Sequence, residues 1–266
     1  MKQHLSKQNR ALLSELVRTD FKLRYQGSVL GYIWSLLRPL LLFTILYLVF
    51  VKFLRLGSGV PNFPIYLLLG IVLWMFFNDI TNQGLKSIVG RVDLIRKVRI
   101  PRWLIVVSSS VSALINLTLN LLVVLIFLLL SGVDLLLTGF WLPVVVLEVF
   151  LLGIGLSLIL ATAYVKYRDI SYIWEIILQA GFYITPILYP LSLIPEGFFQ
   201  KTVMLNPLAQ AIQDARYALV THQTDTISSV YGNPMMRLVP ILICLVLLGV
   251  GILYFKKQAK HFAEDI

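Results

Sequence analysis

The stretch at residues 86–102 carries a dense group of charged side chains. It holds six basic residues and a single acid, Asp93. The basic residues are Lys86, Arg91, Arg96, Lys97, Arg99 and Arg102. Long apolar runs flank the stretch on both sides, and basic residues beside membrane spans stay on the cytoplasmic side. We therefore predict a short cytoplasmic helix at residues 88–98, ending before Pro101, that contacts a soluble partner.

Four charged residues fall inside apolar runs, where charge is costly and usually faces the interior of a helix bundle. They are Arg38, Asp79, Glu148 and Glu175. Arg38 and Glu148 lie at similar depths from opposite ends, so a buried pair between them is one hypothesis. The alternative is that Arg38 contacts an anionic substrate or a lipid headgroup. Asp79 and Glu175 lie near the predicted cytoplasmic ends, where they either are solvated or face the interior.

Aromatic residues are frequent in and near the apolar runs. Those of interest are Trp34, Trp74, Phe76, Phe77, Trp174, Phe182, Tyr183 and Tyr189. One interpretation is an aromatic belt at the membrane interface. The other is a stacking surface for sugar rings, whose C–H faces suit aromatic planes. The sequence leaves both interpretations open.

The residue types of an enzyme active site are not grouped in this sequence. It contains no Gly-x4-Gly-Lys-Ser/Thr pattern, no His-Glu-x-x-His motif and no nucleophile elbow. His4, His222 and His261 are widely separated. Cys244 is the only cysteine, so no intrachain disulfide can form and no cysteine-ligated metal site is indicated. We expect no catalytic residue, no metal site and no ATP hydrolysis by this chain alone.

Composition indicates that these residues are positioned by membrane helices. The chain has 266 residues, 58% hydrophobic and 14% charged, with a mean hydropathy of +0.85. Soluble domains are about 45–50% apolar and about 25% charged, and a helix needs about 20 apolar residues to span a bilayer. We predict an all-α, single-domain membrane protein. Its six transmembrane helices are predicted at about 29–54, 63–83, 103–131, 139–163, 171–190 and 238–255.

The distribution of positive charge predicts the orientation. Of the 23 Lys and Arg residues, 17 fall on one side of the predicted spans and five on the other, with Arg38 inside a span. The rule that positive loops stay inside places both termini in the cytoplasm. The first 28 residues are polar, so we expect the first span, rather than a cleaved signal peptide, to direct insertion. The net charge of +10 is therefore a topology signal and not a sign of nucleic-acid binding.

Three further patterns predict local structure. Residues 9–24 are amphipathic and predict a helix in the membrane interface, either a simple anchor or a part of partner docking.

The third span carries Ser109, Ser112, Asn116 and Asn120 on one face, which either packs against neighbouring helices or lines a pathway. The fourth span has small residues four apart, which favour close helix contact. These are Gly153, Ser157 and Ala161.

The long connection at 191–237 is predicted to lie outside and to contain short helices. Prolines in the preceding Thr185–Pro190 segment should break or kink the end of span five. Within the connection, Leu208, Ile212, Ala215 and Leu219 form an apolar stripe that predicts an amphipathic helix on or in the membrane.

Five segments together resemble one family, the type-2 ABC-transporter permeases that export polysaccharides or polyol phosphates. The segments are Arg24–Leu40, Asp93–Arg102, Tyr167–Ile170, Thr185–Pro190 and Leu205–Leu208, in that order across nearly the whole chain. Arg38 departs from the pattern, since that position varies in the family, so no family role is transferred to it.

The resemblance implies a homodimer of permeases on a dimer of separate ATPase subunits, which would hold the ATP and magnesium. It implies an interface helix at about 9–24 and a coupling helix at about 88–98. It implies a lipid-linked glycan or teichoic-acid-like polymer as cargo, moved from the cytoplasmic to the outer face of a bacterial inner membrane. A related permease for a small molecule or lipid is the alternative, and a membrane-embedded glycan-assembly enzyme is a weaker one.

Site residues follow from these interpretations. Coupling to the ATPase subunit is assigned to Asp93, Leu94, Ile95, Arg96 and Lys97. We choose spans one and five to line the transport pathway, because they hold charged and aromatic side chains. The candidate pathway residues are Trp34, Arg38, Glu175 and Tyr183. The candidate exit gate comprises Pro186, Tyr189, Asn206 and Pro207.

Overall fold

The computed structural model describes residues 7–25, 28–31, 33–57, 59–98, 100–133, 137–260 and 262. Parts of the motif at 24–40 and of the predicted first span, together with Arg99, His4 and His261, lie outside these ranges. The described residues are predominantly helical and contain no strand, which confirms the all-α prediction. The α-helices are α1 (Lys7–Tyr25), α2 (Ile33–Leu46), α3 (Phe63–Ser87), α4 (Val92–Lys97), α5 (Trp103–Leu130), α6 (Leu142–Lys166), α7 (Ile170–Ile184), α8 (Phe198–Met204), α9 (Pro207–Leu219), α10 (Ile227–Tyr231) and α11 (Leu238–Gln258).

Five helical segments among the described residues are long and apolar enough to cross a membrane. They are Ile33–Phe53, Phe63–Ser87, Trp103–Leu130, Leu137–Lys166 and Pro234–Gln258, of 21 to 30 residues each. The first of them continues α2 through a π-helix at Tyr47–Phe53. At about 1.5 Å per residue, each segment reaches across the roughly 30 Å of a bilayer core. These segments match predicted spans one to four and six, so the protein crosses the membrane several times.

The predicted fifth span, 171–190, has a different form. Its helix, α7, has 15 residues and ends at Ile184, because Thr185 is extended (ψ 134°) ahead of Pro186. A helix of this length is about 22 Å long, shorter than a bilayer core. Residues 185–188 continue as a buried, non-helical turn. Such backbone is tolerated at membrane depth only where protein encloses it, and this turn meets that condition.

Helix α3 lies at the centre of the bundle and contacts α2, α5, α6, α7 and α9. The small-residue stripe of α6 packs against it. The Ser157 hydroxyl donates to the Ile80 carbonyl oxygen at 3.0 Å, and a Cβ added to Gly84 would overlap the Ser157 side chain. A Cβ at Gly153 would lie 2.7 Å from Ile80 Cγ2. The close contact predicted from the stripe is therefore confirmed, and it joins α6 to α3.

Helices α6 and α11 meet almost backbone to backbone. A Cβ added to Gly251 would overlap the carbonyl oxygen of Gly155, and one added to Gly155 would lie 2.8 Å from the Leu248 Cα. Larger residues at either glycine would force the helices apart. The last span is thus fixed against the fourth along its length.

The connection between α7 and α11 contains the predicted short helices. Of these, α9 is buried along nearly its whole length and packs against α3, α6 and α11. The apolar stripe of Leu208, Ile212 and Ala215 is fully or almost fully buried. Helix α9 is therefore a part of the core at one end of the bundle, not a loosely attached surface element.

Candidate functional site

A groove opens between α2, α3 and α7 and encloses about 850 Å³. Its α3 wall presents Trp74, Asn78 and Asn82, spaced four residues apart on one helix face, and ends at Lys86. The Asn82 side-chain amide donates to Asn78 Oδ1 at 2.7 Å. This wall therefore offers a ladder of amides and a cation along one line, and Trp74, which is only 6% exposed, closes its apolar end.

The α7 wall is likewise polar at one end and aromatic at the other. Glu175 and Gln179 line the groove one helical turn apart, and Phe182 and Tyr183 line its far end. The Phe182 ring meets Trp74 edge to face, with ring centroids 5.7 Å apart. One end of the groove is thus charged and the other aromatic. Such a lining can bond hydroxyl and phosphate groups while it stacks on the apolar faces of sugar rings.

The predicted pathway residues line this groove or the pocket beside it. Arg38 lines the groove and two adjoining pockets of about 150 Å³ and 490 Å³, and Asp79 lines the same three. Glu175 and Tyr183 lie in the groove, and Trp34 lines the 150 Å³ pocket. The structure thus places Trp34, Arg38, Glu175 and Tyr183 on two neighbouring pockets that share Arg38 as a lining residue. Their role in transport stays a prediction.

The polar face of α5 mainly joins helices. Asn116 Nδ2 donates to Asp79 Oδ2 at 3.3 Å, and Asn120 Nδ2 donates to the Ser35 carbonyl oxygen at 3.3 Å. Both asparagines also line the 150 Å³ pocket. The two asparagines therefore tie α5 to α3 and α2, which confirms the packing role for this part of the face, while a role in lining a pathway stays a prediction.

The hypothesis of an Arg38–Glu148 pair is wrong. The charged groups that act on Glu148 are Asp214 on α9 and Arg237 just before α11, whereas Arg38 lies in the groove with Asp79. Arg237 Nε lies 3.2 Å from Asp214 Oδ2. The pairing failed because similar depth does not place two helices side by side: Arg38 and Glu148 face different neighbours.

Arg216 on α9 is a functional candidate that sequence reasoning missed. Its side chain is fully buried. The guanidinium donates to the carbonyl oxygens of Tyr66, Pro186 and Ile187 at 3.0, 2.5 and 2.7 Å, and to Gln213 Oε1 at 2.9 Å. Burial lowers the pKa of Arg216 below its usual value. Arg216 thereby provides hydrogen-bond donors to the buried carbonyl groups of Pro186 and Ile187, in the non-helical turn that follows α7.

A sequence signal for Arg216 was available. It lies four residues after Ile212 and next to Ala215, on the apolar side of the predicted amphipathic helix. A basic residue on a buried helix face requires acceptors from elsewhere in the fold. The broken end of span five, with its unpaired carbonyl groups, was the natural source of such acceptors.

The predicted gate residues are organised by turns and caps. Pro186 provides one of the carbonyl groups bound by Arg216. The Tyr189 hydroxyl donates to the carbonyl oxygens of Tyr183 and Ile184 at 2.9 and 3.1 Å, which caps the end of α7 beside the groove. Asn206 caps α9 by accepting from the Leu208 N–H at 3.0 Å.

Pro207 follows Asn206 as the first residue of α9, where a proline loses no hydrogen bond. Pro186 and Tyr189 are thus tied to the end of α7, whereas Asn206 and Pro207 begin α9. Arg216 joins the two groups. Whether these residues gate an exit stays a prediction.

The predicted coupling helix consists of two short pieces. Val89–Arg91 forms a 3-10 turn and α4 covers Val92–Lys97. Ile88, fully buried, anchors the turn, and Ile95 packs against the same apolar cluster. On α4, Asp93, Arg96 and Lys97 are exposed, while Leu94 and Ile95 are half-buried. The assigned coupling residues therefore present a charged surface above an apolar anchor.

A polar clamp joins this region to the N-terminal helix. The Arg91 guanidinium forms an ion pair with Asp20 on α1. Arg91 Nη1 also donates to Ser108 Oγ on α5 at 3.2 Å, and Ser108 Oγ lies 3.3 Å from Asp20 Oδ2. Helix α1 is one helix across the predicted 9–24, and the clamp fixes its C-terminal half to α5 and to the turn before α4.

Comparisons with known proteins agree with this architecture. Residues 11–220 match the family described as ABC-2 type transporter. The O-antigen export system permease protein RfbA of Myxococcus xanthus is 32% identical over 267 residues, which cover 97% of this chain and 96% of that protein. A protein of the same name from Klebsiella pneumoniae is 29% identical, covering 95% and 94% of the two chains. The polysialic acid transport protein KpsM of Escherichia coli is 25% identical over 231 residues, covering 86% and 88%.

The family match spans well over half of the chain, and the Myxococcus relative aligns along almost the entire length of both proteins. The membrane helices, the groove and the short basic helix lie in the matched region or next to it. This chain therefore belongs to the ABC-2 type transporter family.

Proposed function

We propose that this chain is the permease subunit of an ATP-driven exporter, which moves a lipid-linked polysaccharide from the cytoplasmic to the outer face of a bacterial inner membrane. The observation that carries the proposal is the groove between α2, α3 and α7, which runs from Lys86 and Glu175 to Trp74 and Phe182. The names of the relatives, an O-antigen export permease and a polysialic acid transport protein, support a polysaccharide cargo.

The lining of the groove suits a glycan better than a lipid tail. Amide and charged side chains can exchange hydrogen bonds with successive hydroxyl groups, and the aromatic end can stack on sugar rings. The outer side of α7 is exposed and apolar at Ile173, Ile176 and Ile177. We infer that a second copy of the chain or membrane lipid covers this side, while the lipid tail of the cargo remains in the bilayer.

The energy source is a separate ATPase dimer that binds ATP and magnesium. We propose that it docks on the exposed charges of α4, with both termini of the permease on the same cytoplasmic side. Closure of the ATPase dimer can do work on the permease only through rigid contacts. The clamp between Asp20, Arg91 and Ser108 provides such a contact between α1, α5 and the turn that precedes α4.

The proposal is tested by deleting the gene in its host and locating the polymer. Loss of surface polysaccharide with accumulation of lipid-linked polymer inside the cell is expected, with rescue by the wild-type gene. A groove variant, Asn78→Leu with Asn82→Leu, should rescue poorly. Thr118→Leu is the matched control, since Thr118 is an exposed polar residue of α5 that does not line the groove. Normal surface polysaccharide in the deletion strain would refute the proposal.

A further inference from the structure

A second groove lies between α5, α6 and α11 and shares no lining residue with the first. It encloses about 970 Å³. Its inner part is apolar and includes Val107, Ile154, Leu158, Leu248 and Ile252. An open apolar groove of this size on a membrane protein requires an occupant that is itself apolar.

The rim of this groove is cationic. Arg102, Lys256 and Lys260 line it at the end where α5 begins and α11 finishes. Both lysines are exposed: Lys256 lies in the last turn of α11 and Lys260 lies just beyond the end of that helix. Arg102 lies over the Phe262 ring, 5.9 Å from its centroid. Among the described residues that line the groove, none carries a carboxylate.

The distance from the cationic rim to the apolar floor matches a lipid anchored at the membrane surface. Leu248 precedes Lys256 by eight residues of α11, about 12 Å along the helix axis. Trp103, at the rim, is of the residue type that favours the membrane interface. The groove therefore runs from headgroup depth into the hydrocarbon region.

We propose that this groove binds one anionic glycerophospholipid, whose phosphate lies among Arg102, Lys256 and Lys260 and whose acyl chain fills the apolar floor. Basic pockets between membrane helices on the cytoplasmic side are suited to anionic headgroups. The occupant comes from the membrane and not from solution, because free phosphate would leave the apolar floor uncovered. The proposal rests on the membrane orientation proposed above, but not on the identity of the cargo.

The bound lipid would contact the coupling region. Ile95 of α4, Val98 and Pro101 line the same groove. Ile95 also packs on the apolar cluster formed by Ile88, Phe255 and their neighbours. An acyl chain beside Ile95 extends that cluster and holds α4 against the bundle. Anionic lipid should therefore strengthen the contact through which the ATPase acts.

The test uses the purified full-length chain in phosphatidylcholine nanodiscs that contain increasing fractions of phosphatidylglycerol. Retained lipid is counted by native mass spectrometry, and thermal unfolding is followed in parallel. One tightly held phosphatidylglycerol per chain is expected. The triple variant Arg102→Gln, Lys256→Gln, Lys260→Gln should weaken its retention by about fivefold for each cation removed, or about a hundredfold in total.

The matched control removes three other cations predicted to be cytoplasmic, in Lys166→Gln, Arg168→Gln, Lys257→Gln. None of them lines the groove, and Lys257 is adjacent in sequence to Lys256. This control should retain the lipid. Val107→Trp fills the groove without changing charge and should expel the lipid while the cationic rim remains intact.

Three results would overturn the proposal. Equal losses of lipid retention in the two triple variants would show that general surface charge, and not this groove, holds the lipid. Equal retention of phosphatidylcholine and phosphatidylglycerol would show that bulk lipid covers the groove. Stabilisation by inorganic phosphate equal to that by phosphatidylglycerol would assign the cations to a free anion. Lipid retention is measured without transport, so its failure is distinct from a failure of the polysaccharide assay.

Discussion

The guanidinium carbon of Arg216 on α9 lies 3.6 Å from the centroid of the Tyr66 ring on α3. In the same contact, Arg216 Nε donates to the Tyr66 carbonyl oxygen at 3.0 Å. The remaining hydrogen bonds of the guanidinium reach the turn after α7 and Gln213. One side chain therefore joins the central helix, the buried helix α9 and the broken end of the fifth apolar helix.

Replacing Arg216 with methionine should destabilise the protein strongly. The change leaves the carbonyl groups of Tyr66, Pro186 and Ile187 buried without these donors, and each lost partner costs about 1–3 kcal/mol. We expect a total loss of at least about 3 kcal/mol, measured as a lower midpoint of thermal unfolding of the purified protein. Arg216→Lys keeps the charge but not the planar donor fork, so it should fall in between.

The matched control for this prediction is Lys201→Met. Lys201 is also on the segment between α7 and α11, but it is exposed. Its removal should shift the midpoint little, because exposed charges contribute little to stability. Equal stability of the Arg216→Met and Lys201→Met proteins would show that the hydrogen bonds of Arg216 are dispensable.

Gly70→Ala should act on the same contact from the opposite side. A Cβ at Gly70 would overlap Arg216 Nη2, so the guanidinium must move and its hydrogen bonds lengthen. Overpacking of this kind costs about 1–3 kcal/mol. Gly249→Ala is the control, since Gly249 is also in a membrane helix but a Cβ added there would enter open space; it should be neutral or slightly stabilising.

Combining Gly70→Ala with Arg216→Met distinguishes this explanation from a general packing defect. If the cost of the alanine arises from displacement of Arg216, the cost should largely disappear once the arginine is methionine, whose flexible chain can yield. Additive losses in the double variant would place the strain at another neighbour. The Ile187 side chain, 3.5 Å from the added Cβ, would then be the first candidate.

The membrane helices could be predicted because their signals are local. Long apolar runs set five of the spans, and the small stripe of Gly153 and Ser157 predicted a close contact that the structure places against Ile80. The early end of α7 was also signalled by the Thr185-Pro186 pair. Its helical length was overestimated because the apolar run continues through the turn, and hydropathy does not distinguish helix from enclosed turn.

Long-range partners were predicted poorly, because depth along a helix does not determine its neighbours. Glu148 was matched with Arg38 by depth, but α6 brings it to Asp214 and Arg237. Arg216 is one of the five basic residues that the charge count places on the outer side, yet it is fully buried because the turn after α7 supplies its acceptors. Both outcomes depend on how α9 inserts between other helices: the spacing within α9 indicates that Arg216 is on the apolar side, but it does not specify which groups surround that side.

Charge reversal should test the clamp between α1 and the turn before α4. Asp20→Arg or Arg91→Asp alone places like charges together at a pair whose side chains are only 19% and 16% exposed. We expect each to cost about 1–3 kcal/mol and to reduce transport per ATP hydrolysed by the complex. The double reversal should recover much of both losses. Its failure to recover either would mean that the pair is not the reason for the defect.

Glu15→Arg is the matched control for the clamp. Glu15 is on the same helix and is exposed, so its reversal changes the charge of α1 by the same amount without breaking the pair. Normal coupling in this variant, with defective coupling in Asp20→Arg, would assign the effect to the contact with Arg91. Equal defects would instead implicate the overall charge of α1.

The exposed cations of α4 should affect coupling to the ATPase without affecting the stability of the permease. Arg96 and Lys97 are exposed at the end of a six-residue helix, while Ile95 holds that helix to the bundle. Reversing both charges to glutamate should therefore leave insertion and thermal stability nearly unchanged. It should strongly lower cargo-stimulated ATPase activity of the reconstituted complex and polysaccharide export, because an ATPase surface complementary to two cations would then face two anions.

Reversal of Lys257, an exposed cation of α11 outside α4, is the control and should preserve activity. Full export by the Arg96→Glu, Lys97→Glu protein would exclude this face of α4 as the coupling surface. Robust ATPase activity of the purified permease without its partner would contradict the proposal that a separate chain hydrolyses ATP.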